Sequence, residues 1–151
     1  MTEPLGRQLV FTAKAMREAF EDTLERSGVS LPTWVVLHAL SDTGIVSQSA
    51  LASHVRLEGA TITHHVDRLE KLGLVRRRLD PGDRRVRRLE LTAAGLKLHE
   101  KLLAAAKEFE AVSLAGLDSK ERAALRRSLA RISANLEAAS AGSSGARRGT
   151  R

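Results

Sequence analysis

Cysteine is absent from this sequence, which excludes disulfide scaffolds, thiolate zinc sites, iron–sulfur clusters and thiol-based oxidant sensing. Long apolar runs are missing too. The apolar stretches are short and broken by charge, and none approaches the roughly 20 residues needed to cross a bilayer. The first ten residues, MTEPLGRQLV, lack the basic-then-apolar layout of a secretory signal, so a cytoplasmic location with no membrane partner is expected. No glycine-rich phosphate loop or nucleophile motif is present, and no enzymatic activity or cofactor is expected. The five histidines, His38, His54, His64, His65 and His99, form no ligand pair of the His-x3-His kind away from the helix assigned below to DNA, so no metal site is expected.

What is present is length for one hydrophobic core, at 151 residues, and an uneven charge. Residues 76–88 carry seven Arg and two Asp, and residues 140–151 carry three Arg, within a chain of net charge +7. The rest of the chain is close to neutral. Positive charge gathered on one short segment points to a polyanion, whereas a merely arginine-rich surface would spread it.

Hydrophobic spacing divides the chain into helices and one hairpin. From Leu5 to about Ser27, apolar residues recur every three or four positions, the pattern of an amphipathic helix. A second helix, TWVVLHALSDTG, ends at Gly44, and Ser47 caps a short third, QSALASHV. A fourth runs from Gly59 or Ala60 to Leu72. Two extended runs follow, LVRRRL and RVRRLEL, joined by DPGD, which reads as a type II turn with Pro81 and Gly82 at its centre. Thr92 caps a long fifth helix, and Leu117, Asp118 and Glu121 start a sixth.

The expected architecture is mainly α with a small β-hairpin wing. Residues 1–30 form a first helix, 31–92 a winged helix-turn-helix DNA-binding lobe, 93–139 two long helices, and 140–151 a flexible tail. Helices from both ends of the chain are too apolar on one face to stand free, so a symmetric homodimer is expected.

On the fourth helix, a 100° step per residue places Val66, Leu69 and Gly73 within about 40° of Ile62, which marks the buried side. Thr61, Thr63 and His64 then lie toward the outer side near the helix start, where short or hydrogen-bonding side chains can approach base edges in a major groove. Arg68, one turn later, is placed to meet a phosphate. Such a face alone is no more than a solvated helix surface; the capped helix before it and the arginine hairpin after it make it a reading head. In the hairpin, Arg84 or Arg85 at the tip can enter a minor groove, and Arg76, Arg78, Arg87 and Arg88 can touch phosphates. Asp80 and Asp83 would repel phosphate unless they orient the neighbouring guanidiniums.

SQSALASHVRLEGATITHHVDRLEKLGLV and LDPGDRRVRRLELTAAG closely resemble the MarR family of bacterial transcription regulators, over roughly residues 5–139. The resemblance implies a homodimer that binds a palindromic operator on double-stranded DNA, usually as a repressor and often released by a small aromatic or phenolic effector. By position, Thr61, Thr63 and His64 would read bases, Asp83 would orient Arg85, and Arg85 would be the wing-tip residue. Many such regulators carry arginine where this chain has His64. The family's effector cleft would be lined here by Met16, Arg17 and Phe20 of the first helix and by Trp34 and His38 of the second. Trp34 and His38, four apart, share a helix face and serve equally well as ordinary core packing. The competing function is a nonspecific architectural nucleic-acid binder that uses the same arginines as bulk cations.

Overall fold

The computed structural model describes residues 4–44, 46–55, 59–83 and 85–146. Its elements are α1 (Leu5–Glu25), α2 (Leu31–Thr43), β1 (Val46–Ser47), α3 (Gln48–Val55), α4 (Gly59–Lys71), β2 (Val75–Leu79), β3 (Arg87–Leu91), α5 (Ala93–Ser113) and α6 (Ser119–Ala146). Two compact units divide near Ala111 and Val112. The first holds α1 to α4, the sheet and nearly all of α5; the second holds α6.

In the first unit, α2 and α4 both stop at a glycine. α2 ends at Gly44 with φ of 77°, and α4 is followed by Gly73 at 69°, a left-handed turn that glycine adopts without Cβ strain. Ser47 caps α3, its Oγ accepting the Ala50 N–H at 3.1 Å. The apolar stripes converge on one core that includes Leu24, Trp34, Leu37, Leu40, Leu51, Ile62, Val66, Leu69, Val75, Leu89 and Leu102. A fully buried leucine in such a core contributes about 1.5–3 kcal/mol, so α3 and α4 are held through Leu51, Ile62 and Leu69 rather than by helix propensity.

The sheet has three strands in the order β1-β3-β2, all antiparallel, where the sequence pattern predicts a two-stranded hairpin. Val46 and Ser47 pair with Leu89 and Arg88. Two residues are too short to show alternation, so only their pairing with β3 reveals them as a strand.

One glycine is forced by packing. A Cβ on Gly95 would lie 2.0 Å from the Leu74 carbonyl oxygen, and that oxygen accepts the Thr92 N–H at 3.1 Å. Thr92 caps α5 through the Gly95 N–H at 3.1 Å and donates its own proton to the Gly73 carbonyl at 2.6 Å. The end of α4 and the start of α5 are thereby stitched across the sheet.

In the second unit, α6 opens on a reciprocal capping box. Asp118 Oδ1 accepts the Glu121 N–H at 2.8 Å, and Glu121 Oε2 accepts the Asp118 N–H at 2.8 Å. The helix runs on to Ala146, past Ala139 where a flexible tail is expected to begin. Alanine has the highest helix propensity, and the segment Glu137–Ala141 has three alanines and no proline. Residues 147–151, the remainder of the expected tail, lie outside the described residues.

Candidate nucleic-acid interface

α4 turns Ile62, Val66 and Leu69 into the core, at 1% exposure or less. Thr61, Thr63, His64 and Arg68 are exposed, with the first three in the opening turns of the helix. His64 meets His65 edge to face with ring centroids 5.9 Å apart. Partial burial, then the charges of His64 and Arg68, hold His65 below the ordinary imidazole range. The Thr63 hydroxyl is engaged within the protein. It donates to the Gly59 carbonyl at 2.9 Å and accepts the Gln48 amide N–H at 2.6 Å.

The wing turn is built by a side chain. Asp80 Oδ1 accepts the N–H groups of Gly82 at 2.6 Å and Asp83 at 3.1 Å, while Oδ2 forms an ion pair with Arg88. The Gly82 N–H, first and foremost, and then those of Asp83 and Arg88 hold the carboxyl below the usual carboxylate range, although desolvation opposes them. Gly82 is not in the left-handed region, so the turn is an Asx type and not the expected type II. The Asp80 N–H closes the loop on the Val86 carbonyl at 3.0 Å. Asp83 reaches Arg85 through its main-chain N–H, at 2.9 Å. It therefore shapes the turn that presents Arg85, where orientation of the guanidinium is the expectation. Arg85 and Arg87 are exposed; Arg84 lies outside the described residues. Arg76 and Arg78 share Glu90, the first in close contact and the second at 3.5 Å. The acids of β3 and of the turn thus fix three of the wing's arginines.

Arg77 behaves differently from its neighbours. Register pairs it with Leu89, and strand alternation puts it on the inner face with Val75. Its guanidinium, 16% exposed, contacts Glu70, meets Asp67 at 2.5 Å and donates to Gln48 Oε1 at 3.2 Å. Burial, the largest single influence, opposes its charge; Asp67 and Glu70 together outweigh it and raise its pKa. Arg77 binds the wing strand to the helices α3 and α4. Sequence inspection assigns it no role, although counting by two from the buried Val75 singles it out.

The five expected effector residues separate into two clefts. Met16, Arg17 and Phe20 line one of about 340 Å³ with Leu31, Ala106 and Phe109. Trp34 and His38 line another of about 220 Å³ with Val35, Ala39, Asp42, His54 and Val55. The two touch through Phe20, whose ring meets Trp34 edge-on at 6.0 Å and Phe109 at 5.1 Å. Trp34 is a core residue, 8% exposed, and stacks on His38 at 4.8 Å and His99 at 5.7 Å. His38 Nδ1 lies 3.2 Å from His99 Nε2. His99, 61 residues further along the chain, offers no local signal that it belongs here. Among the described residues, no group of three potential metal ligands occurs, and no helix is long and apolar enough to cross a membrane.

Comparison with known proteins places this geometry. Residues 29–86 match the MarR family. The HTH-type transcriptional repressor NicR of Pseudomonas putida is 37% identical over 92 residues, which cover 61% of this chain and 58% of NicR. The chain thus spans less than two thirds of that relative. A probable transcriptional regulator from Pseudomonas aeruginosa, of known structure, is 33% identical with a TM-score of 0.75, covering 86% of this chain and 97% of its own. BpsR of Bordetella bronchiseptica, whose DNA binding is regulated by 6-hydroxynicotinic acid, is 28% identical with a TM-score of 0.77, covering 87% and 94%. With its capped α3, its exposed start of α4 and a wing pinned by acids, the chain belongs to the MarR family of transcription regulators.

Proposed function

We propose that this protein is a sequence-specific transcriptional repressor that binds a palindromic operator as a homodimer, without catalytic activity, in the cytoplasm. The observation that carries this reading is the organised wing: its arginines are held by Asp80 and Glu90 on a sheet that Arg77 ties to α4. A nonspecific binder needs only loose cations, whereas a fixed wing beside Thr61 and His64 presents a register in which bases can be read. Arg85 at the wing would enter the minor groove, and Arg68 and Arg87 would meet phosphates. The likeness to NicR, a repressor, favours repression over activation.

Homodimerisation rests on apolar residues left exposed in each unit. Leu5, Val10 and Phe11 of α1 are 56–74% exposed, and Leu125, Leu129 and Leu136 of α6 are 39–65% exposed. A second copy that covers such faces satisfies them, and a symmetric pair is the simplest way to do so. The 340 Å³ cleft, apolar apart from Arg17, suits a small aromatic acid of the kind that regulates BpsR.

The deciding experiment is fluorescence anisotropy with DNA from upstream of the protein's own gene, at about 0.15 M salt with excess unrelated competitor. A competitor-resistant complex with two chains per site is expected. If a selection from random sequences also returns no preferred site, the nonspecific reading replaces this one.

A further inference from the structure

We infer that Gln48 is a specificity-determining position of the operator interface, because a polarised hydrogen-bond relay from Arg77 through Gln48 decides what the Thr63 hydroxyl can offer to a base. The inference rests on the DNA-binding reading above and adds a residue that makes no claim to direct base contact. The guanidinium of Arg77 has donors only. Its donation to Gln48 Oε1 at 3.2 Å therefore assigns the amide, oxygen toward Arg77 and nitrogen toward Thr63. The Gln48 N–H then reaches Thr63 Oγ1 at 2.6 Å, which makes the hydroxyl an acceptor there. Its proton goes the other way, to the Gly59 carbonyl at 2.9 Å. The first step is fixed by a guanidinium that Asp67 and Glu70 keep in place, and the Gln48 N–H on the Thr63 oxygen favours the hydroxyl rotamer that points its proton at Gly59.

The result is an exposed threonine whose donor is spent. Toward DNA, Thr63 retains an accepting lone pair and its methyl group. In a major groove it can accept from the amino group of adenine or cytosine, or pack against the thymine methyl, and it cannot donate to guanine O6 or N7. A threonine free to rotate its hydroxyl would have no such bias. Gln48 thus acts as a positioning residue through Thr63.

The test is a base-by-base affinity matrix. Each base pair of the selected half-site is replaced in turn, and binding is measured for the wild type, Q48M, T63V and the double variant. Methionine keeps the length of glutamine without its amide, and circular dichroism melting verifies that each variant is folded. Q48M is expected to weaken discrimination about tenfold at one base pair, the same pair that T63V affects, while other positions change less than twofold. The double variant should discriminate no worse than the poorer single one, since both cut the same relay. A uniform loss across all sequences, an effect at a different base pair from that of T63V, or additive effects would overturn the relay alone. A wild-type protein without any base preference would overturn the regulator reading together with it.

Discussion

Asp80 holds Arg88 across the mouth of the wing with one carboxylate oxygen while the other gathers the N–H groups of Gly82 and Asp83. One acid thus fixes both the turn and a cation beside it. Asp80→Ala is expected to weaken operator binding about tenfold or more, because the wing would lose its fixed geometry as well as the orientation of Arg88. Anisotropy titration measures this, and unchanged affinity would show that the wing is organised without its acid. The folded-state pKa of Asp80 is lowered, so its contribution is complete above the unfolded value of about 3.9 and is lost as pH falls through the lower folded value. Operator affinity from pH 5 to 8 should therefore be insensitive to this group, and the Gly82 amide resonance should move only in strongly acidic solution.

Gly95→Ala tests the stitch between α4 and α5. The added methyl would meet the Leu74 carbonyl at 2.0 Å, and a main-chain oxygen already bonded to Thr92 cannot swing away as a side chain would. A loss of about 1–3 kcal/mol is expected from the forced backbone shift, read as a lower denaturation midpoint. An unchanged midpoint would mean that α5 is free to slide.

These features differ in how far the sequence betrays them. The spacing of Ile62, Val66 and Leu69 marks the inner side of α4, and all three are buried, because one stripe of apolar residues admits one orientation against a core. The caps at Ser47, Thr92 and Asp118 are equally local. The turn is less so: Asp-Pro-Gly-Asp suits either a type II or an Asx turn, and only the reach of the Asp80 side chain decides. Arg77 hides among identical neighbours until pleat parity is counted, and the strand β1 exists only through pairing with β3. His99 joins Trp34 and His38 through a contact 61 residues distant, which no periodicity reports.

His99 carries a prediction of the same sign as that of Asp80, in a window nearer neutrality. Burial, then the nearby His38, lower its pKa, with Glu100 opposing. The unfolded chain therefore binds a proton near pH 6.5 that the folded chain refuses, and stability declines as pH falls below about 6.5 toward the folded value. His38, Asp42 and His54 border the same region, so the comparison needs a variant. His99→Leu should flatten the melting temperature between pH 7.5 and 5 relative to wild type; parallel curves would place the titration elsewhere.

The proposed dimer should come apart without any change to residues 31–92. Leu129 and Leu136 on α6 are 40% and 65% exposed, and charge at both positions would be buried unpaired in a symmetric interface, a cost of several kcal/mol. Leu129→Glu with Leu136→Glu should yield a monomer by light scattering, with the half-site still bound weakly. A variant that remains dimeric would exclude this face.

Arg85 and His64 separate two kinds of contact. Arg85 is presented by a turn whose amide is fixed to Asp83, and Arg85→Ala should cost about 1–3 kcal/mol of operator affinity while leaving the dimer intact. His64, exposed at the start of α4, has ring nitrogens that accept or donate, so His64→Ala should change which bases a selection returns. Arg87→Ala, by contrast, should weaken every sequence alike and reduce the slope of affinity against salt by about one ion. If His64→Ala and Arg87→Ala produced the same uniform loss, α4 would lie on the backbone rather than in the groove, and base reading would have to come from the wing.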